Sequence, residues 1–162
     1  MSQNFYYIAR EWQYKNLKSR IIAEPRMDVL EDEDGLNKGG MTDYKFFCFN
    51  GEPLFLYVSN ERISFLNLDW SFAEFQRSDY RQFDELPPKP SCLDEMIEIA
   101  RNLSKGLPFV RVDLYETKHT VYFSELTLTP GGGFIPFEPK EWDKKLGDRL
   151  DLSTVPKKKA LL

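Results

Sequence analysis

Residues 109–134 read FVRVDLYETKHTVYFSELTLTPGGGF, and two extended runs within this stretch decide the fold. In the first run, apolar side chains alternate with Arg111 and Asp113, which is the two-residue period of a half-buried strand. A polar break at 116–120 precedes a second alternating run, and that run stops at Pro130 because proline has no N–H for a strand ladder. The pattern predicts a β-hairpin followed by a glycine-rich loop that exposes its backbone.

The hairpin carries two acidic residues at positions where strands rarely have them. If the numbers of paired residues in the hairpin add up to an even number (an even register), four polar side chains share one face: Arg111, Asp113, Glu125 and Thr127. Strict alternation adds Val121 and Phe123 to the face of Glu125. Two carboxylates and a hydroxyl are oxygen ligands that suit Mg²⁺, and a guanidinium suits a phosphate or carboxylate oxygen. The alternative is an exposed hairpin face with a cross-strand Arg–Glu pair, which stabilises the fold only slightly.

The run RVDLYE…VYFSELTLTPGGGF resembles the end of an ATP-grasp domain, in the TupA-like branch linked to cell-surface polymer biosynthesis in bacteria. Members carry an acidic residue on one strand and a Glu-x-Asn pattern on the next, followed by Pro-Gly. Those side chains hold the magnesium ions that bridge the phosphates of ATP. The resemblance implies Asp113, Glu125 and Thr127 as metal ligands, followed here by Pro130 and Gly131. Thr127 stands where many members have asparagine.

A second hairpin is predicted at Asn50-Gly51, the strongest short hairpin signal, which separates extended runs at 44–49 and 53–59. The segment DYKFFCFNGEPLFLYV resembles the central hairpin of the same family. Lys45 lies on the face of Phe47 and Phe49, where we expect it to meet phosphates or substrate. Together with Arg111, it is our predicted catalytic residue.

The resemblance also places the nucleotide near the start of the chain. RIIAEP, at 20–25, is similar to the short strand that leads into the adenine-binding linker of the family, and we expect a strand at 20–24. It implies Glu24, Pro25 and Met27 as nucleotide-binding residues. The segment before it mixes aromatic and basic residues and is expected to be partly helical. The acidic, glycine-containing segment 28–43 is predicted to be a solvated loop.

One long helix is expected to pack on the sheet. Ser91 and Asp94 have the spacing of a capping box, and Gly106 is a typical residue after a helix end. Between them lies an apolar stripe at helical spacing: Leu93, Met96, Ile97, Ala100 and Leu103. A short helix is expected at 143–150.

Composition excludes several function classes. The 162 residues are 41% hydrophobic, enough for one domain, at 1–150, with a tail at 151–162. A net charge of −4 gives no general attraction to nucleic acid or anionic membrane. No apolar run approaches the roughly 18 residues of a membrane span, and the start lacks a signal-peptide core, so we expect a cytoplasmic protein. The single histidine, His119, excludes a histidine-based zinc site, and the two cysteines are expected to be reduced packing residues.

The sequence therefore predicts an α+β protein: the C-terminal half of an ATP-grasp domain, with a mainly antiparallel sheet and one long packed helix. The implied activity is ATP-dependent carboxylate–amine ligation through an acyl phosphate, with ATP and Mg²⁺, in cell-surface polysaccharide or peptide-polymer biosynthesis. The partners would be a nucleotide and a small carboxylate or polymer precursor. The first lobe and its lysine-bearing phosphate loop are not found before the adenine strand. We therefore expect a truncated ligase with little or no turnover alone, completed by a missing lobe or partner chain. The alternatives are a non-catalytic remnant or binding module, or a protein labelled as a glycosyltransferase in polysaccharide biosynthesis.

Overall fold

An antiparallel sheet of five strands forms the centre of the fold. The computed structural model describes residues 5–18, 20–23 and 40–153. In chain order the elements are α1 (Phe5–Ala9), a 3₁₀ helix (Trp12–Tyr14), β1 (Asp43–Phe49), β2 (Glu52–Ser59), β3 (Ile63–Asn67), β4 (Gln76–Arg77), α2 (Leu93–Ser104), β5 (Phe109–Thr117), β6 (Thr120–Thr127), a second 3₁₀ helix (Pro130–Gly133), β7 (Phe137–Glu138) and α3 (Glu141–Gly147).

The five strands lie in the order β3-β2-β1-β5-β6, and every neighbouring pair is antiparallel. Strands β4 and β7 form a separate two-stranded sheet. This arrangement confirms the predicted α+β class and its mainly antiparallel sheet. The finer assignments, to one half of an ATP-grasp domain and to a domain boundary at residue 150, remain predictions that the fold does not test.

Two-residue turns close both predicted hairpins. Asn50 and Gly51 have φ values of 52° and 85°, and Lys118 and His119 have values of 51° and 56°. Positive φ at both central residues is the backbone that matches the twist of the flanking strands. The second turn is shorter than the polar break at 116–120 suggested, because β5 continues through Thr117.

Helix α2 covers one face of the sheet. Its buried side chains are Leu93, Met96, Ala100 and Ser104, and they pack against the apolar side chains of β1, β2 and β5. The predicted stripe is therefore confirmed except at Leu103, which is 39% exposed. Ser104 lies four residues after Ala100, so it takes the inward position at the last turn.

An aromatic cluster covers the opposite face. It is built from side chains of β1, β2 and β3 and of the segment after them: Phe47, Phe55, Tyr57, Phe65 and Phe75. Leu146 of α3 and the half-buried Trp142 close this cluster. The C-terminal helix predicted at 143–150 is thus present, but it begins and ends earlier, at Glu141 and Gly147.

The N-terminus of α2 is capped from the sheet. Cys92, the N-cap residue, makes no side-chain capping bond, so the predicted Ser91–Asp94 capping box is wrong. Glu116 at the end of β5 supplies the acceptor: its carboxylate takes hydrogen bonds from the Ser91 hydroxyl at 2.5 Å and from the Cys92 backbone N–H at 3.0 Å. Glu116 is 1% exposed, and a carboxylate at a helix N-terminus is favoured by the helix dipole.

The N-terminal segment is partly helical, as expected, in α1 and the first 3₁₀ helix. The strand predicted at 20–24 is not formed over residues 20–23, where Ile21 is 99% exposed. The apolar residues of this segment indicated a strand, but none of the sheet strands pairs with them. Glu24 and most of the acidic loop lie outside the described residues.

Two expectations from the sequence concern membrane spans and the cysteines. Over the residues that the structure describes, every helix is too short or too polar to cross a membrane. Both cysteines are free thiols, and Cys48 is buried within β1, where burial raises the pKa of its thiol to about 11. The packing role predicted for Cys48 is confirmed.

We expect Glu116→Ala to lower the free energy of unfolding by about 2 kcal/mol, because two donors at the start of α2 lose their buried acceptor. Urea denaturation followed by circular dichroism measures this. The control is Glu95→Ala, which removes an exposed carboxylate from the first turn of the same helix and should change stability by less than about 0.5 kcal/mol. Equal losses in the two variants would contradict the capping role.

Candidate functional site: a charged cluster on the β5–β6 hairpin

The polar residues of the hairpin lie on one face of the sheet. In the β5–β6 register, Asp113 is directly opposite Glu125 and Arg111 is directly opposite Thr127. The even register that the sequence analysis considered is therefore present at these positions. It ends at a β-bulge: Ser124 has no partner, and the next pair is Leu114 with Phe123.

The bulge corrects one expectation. Strict alternation put Val121 and Phe123 on the face of Glu125, but they pair with Glu116 and Leu114, whose side chains point to the α2 face. The extra residue in β6 moves every side chain before it to the other face. Val121 accordingly packs at the edge of the α2 core.

Arg111 holds the polar residues together. Its Nε donates to Asp113 Oδ1 at 2.7 Å and its Nη2 to Asp113 Oδ2 at 2.6 Å, a bidentate pair. The same Nη2 donates to Glu125 Oε1 at 2.8 Å and to Thr127 Oγ1 at 3.0 Å. Thr127 in turn donates to Glu125 Oε1 at 3.0 Å. A planar guanidinium is suited to this role because its five donors form a fixed fork.

Lys45 brings a second cation from the neighbouring strand. It lies directly opposite Asp113 in the β1–β5 register, and its Nζ donates to Asp113 Oδ2 at 2.6 Å. The same Nζ lies 3.2 Å from Asp43 Oδ2. The cluster of Asp43, Lys45, Arg111, Asp113 and Glu125 thus has three carboxylates and two cations, and carries one negative charge in excess.

Burial makes these charges depend on one another. The Asp113 side chain is 0% exposed, and the Lys45 and Arg111 side chains are 12% and 9% exposed. Burial by itself lowers the pKa of Lys45, but the hydrogen bond and the charge of Asp113 outweigh it, and the pKa is raised. The same balance raises the pKa of Arg111. The Glu125 side chain, at 57% exposed, is the member of the cluster most open to solvent.

Tyr57 lies beside Arg111 at the buried side of the charged cluster. Burial raises the pKa of its phenol, and the nearby Arg111 charge opposes that shift. Its hydroxyl lies 3.4 Å from Arg111 Nη1, and its ring centroid lies 5.7 Å from the guanidinium carbon. A cation over an aromatic face is stabilised by the ring's electron density, so Tyr57 helps to fix Arg111.

The donor set fits a magnesium ion that also binds phosphate. Asp113, Glu125 and Thr127 offer two carboxylates and one hydroxyl, and Mg²⁺ is typically held by one or two carboxylates together with substrate phosphates. Glu125 Oε2 makes no hydrogen bond to another described residue. Within the described ranges, no group of three or more histidine, cysteine or acidic side chains could hold a metal ion. A metal ion here would need further oxygen ligands, from water or from a substrate phosphate.

The structure brings five of the predicted site residues together: Lys45, Arg111, Asp113, Glu125 and Thr127. The predicted nucleotide-binding residues Glu24, Pro25 and Met27 lie outside the described residues. Asp43 and Tyr57 were not foreseen. Asp43 could have been found, because it is two residues before Lys45 on the same strand face.

The family of the chain comes from a comparison with known protein families. The model of the TupA-like ATP-grasp family matches residues 1–151 of the 162-residue chain. The chain belongs to the TupA-like ATP-grasp family. No curated protein and no solved structure matches it. In this TupA-like ATP-grasp chain, the match includes every residue of the charged cluster.

We expect Asp113→Asn to destabilise the protein by about 3 kcal/mol, because Lys45 and Arg111 would be left partly buried without their shared carboxylate. Glu125→Gln, at the exposed end of the cluster, should cost less than about 1 kcal/mol. Urea denaturation of the two variants beside the wild type measures both values. A loss in Asp113→Asn no larger than in Glu125→Gln would show that Asp113 does not hold the cluster.

The raised pKa of Lys45 predicts a pH dependence. A group whose pKa is higher in the folded state stabilises the fold fully below its unfolded pKa, and this contribution is lost as the pH rises through the folded value. The wild type should therefore lose stability relative to Lys45→Met as the pH rises above about 10.5. Urea denaturation at a series of pH values from 8 to 11.5 tests this.

The control for this series is Lys144→Met, which removes a lysine whose side chain is 80% exposed. The difference between the wild type and Lys144→Met should stay nearly constant across the same range. A constant difference between the wild type and Lys45→Met would mean that Asp113 does not raise the pKa of Lys45.

Proposed function

We propose that this TupA-like ATP-grasp chain takes part in ATP-dependent ligation of a carboxylate to an amine, through an acyl phosphate, in the biosynthesis of a cell-surface polysaccharide or peptide polymer. One observation carries the proposal. Arg111 joins Asp113, Glu125 and Thr127 on one face of a hairpin, beside Lys45, in a chain that belongs to this family. Cations and oxygen ligands are adjacent there, as phosphoryl transfer requires.

In this proposal Lys45 and Arg111 bind phosphate oxygens and stabilise the negative charge that develops on them. Both cations are mostly buried, so they act in a medium that screens them less than water does. Asp113, Glu125 and Thr127 would hold Mg²⁺. When bound, Mg²⁺ neutralises phosphate charge, and ATP supplies the phosphoryl group that activates the substrate carboxylate. Arg111 is fixed by its bidentate bonds to Asp113, so the protein's contribution is chiefly positioning.

A second candidate function is nucleotide or partner binding without catalysis. The observation that favours it is the satisfied state of Asp113, whose two oxygens already accept three hydrogen bonds from Arg111 and Lys45. A buried carboxylate whose charge is already compensated by two cations can serve as a structural element. ADP release from ATP in the presence of candidate carboxylates and amines separates ligation from binding.

The direct test of the site is thermal melting at fixed ionic strength. A cation that binds only the folded state at ten times its dissociation constant stabilises it by about 1.4 kcal/mol. This raises the melting temperature of a chain of this size by about 4 °C. We expect millimolar Mg²⁺ or Mn²⁺ to produce such a shift, and ATP with Mg²⁺ to produce a larger one.

Glu125→Gln should lose the response to metal and keep the fold, because glutamine preserves the shape of the side chain and removes its charge. The control is Glu61→Gln, since Glu61 is exposed and lies outside the cluster. Equal shifts in the wild type and Glu125→Gln would overturn the metal assignment. An absent shift with ATP would overturn nucleotide binding.

A further inference from the structure

A cavity of about 280 Å³ lies beneath the glycine-rich loop, on the same sheet face as the charged cluster. Its floor is aromatic and comes from three neighbouring strands: Phe47, Phe49, Phe55 and Phe109. The rings of Phe47 and Phe55 are stacked with centroids 4.7 Å apart, and those of Phe49 and Phe109 meet edge to face at 5.0 Å. Such packed rings give the cavity a fixed apolar wall.

The other walls are the segment after β6 and helix α3. Leu128, Pro130 and Ile135 line the first wall, and Leu146 lines the second. Gly131 has a φ of 58°, and a Cβ there would lie 2.8 Å from the Ile135 side chain, so this loop conformation requires glycine. An apolar cavity of about 150 Å³ is known to bind a benzene-sized molecule, so this one has room for a ring with a short side chain.

One charged side chain lines the cavity. Asp143 lies in the first turn of α3 and is exposed. Its carboxylate makes no hydrogen bond or ion pair with any other described residue, whereas the next cation along, Lys144, pairs with Asp148 at 2.5 Å, and Lys145 lies 3.9 Å from Glu141. The one polar hydroxyl among the lining residues, that of Thr129, already bonds to Glu11 and Gln13. Among the lining residues, the Asp143 carboxylate is therefore the one negative charge without an ion-pair partner in the described part of the chain.

From this combination we propose that the cavity binds a small amphipathic cation, namely a primary amine attached to an aromatic ring or to a branched aliphatic group. The apolar part of the ligand is buried between the phenylalanine side chains of the floor and Leu146, out of contact with water. The ammonium stays at the rim, hydrated and paired with Asp143. The site does not use Arg111 or the metal ligands, so the proposal stands or falls independently of nucleotide binding.

The experiment is a titration of the full chain with 2-phenylethylamine, followed by methyl NMR at Leu146 and Ile135. We expect saturable shifts of both methyl signals with a dissociation constant on the order of 1 mM. Two probes of the same size and different charge are 2-phenylethanol and phenylacetate. The neutral alcohol should bind about fivefold more weakly than the amine, since it lacks the ion pair, and the carboxylate should bind more weakly still.

Asp143→Asn should weaken amine binding about fivefold and leave alcohol binding unchanged, because an exposed ion pair contributes up to about 1 kcal/mol. The matched control is Glu141→Gln, which removes the same charge from the same helical turn but does not line the cavity. It should leave amine binding unchanged. The proposal is overturned if the methyl signals do not move, if the three probes bind equally, or if the two variants weaken amine binding equally.

Discussion

The bidentate pair between Arg111 and Asp113 is the interaction on which this structure depends. A carboxylate with no solvent exposure costs several kcal/mol to bury unless its charge is compensated, and Asp113 is compensated by two cations. Those cations are themselves buried by the sheet, so none of the three charges is stable there without the others. The group ties β1 to β5 by side chains as well as by backbone bonds. It also fixes the guanidinium in a single position facing Glu125 and Thr127.

The two faces of the sheet carry different kinds of side chains. One face packs against α2 with apolar side chains, the buried thiol of Cys48 and one buried cap, Glu116. The other face is aromatic at one end, where α3 and the glycine-rich loop close a cavity, and charged at the other. Arg111 lies at the boundary, directly opposite Phe47 of the aromatic cluster. A ligand on this face would therefore meet a rigid apolar surface and a fixed row of charges side by side.

The charged cluster brings two cations next to three carboxylates, and both cations already contact Asp113. The chain belongs to the TupA-like ATP-grasp family. A metal ion at this cluster would compete with Lys45 and Arg111 for the Asp113 oxygens, whereas a phosphate would compete with Asp113 for Lys45 and Arg111. The cluster carries one negative charge in excess, and Glu125, at its outer end, is the member most open to solvent.

The sequence by itself determined the four strands of the two hairpins, both turns, the long helix and the residue types of the cluster, because these depend on local periodicity and turn chemistry. Register was decided only in three dimensions. The two-residue turn at Lys118-His119 pairs Thr117 with Thr120. If that register continued along the whole hairpin, Glu125 would lie opposite Val112, on the α2 face. The bulge at Ser124 shifts the register by one residue, so Glu125 lies opposite Asp113 instead. A second bulge in β2, at Leu54, places Tyr57 rather than Leu56 opposite Lys45. Glu116 likewise became a helix cap only when α2 packed on the sheet, since local spacing cannot report a bond between residues 24 positions apart.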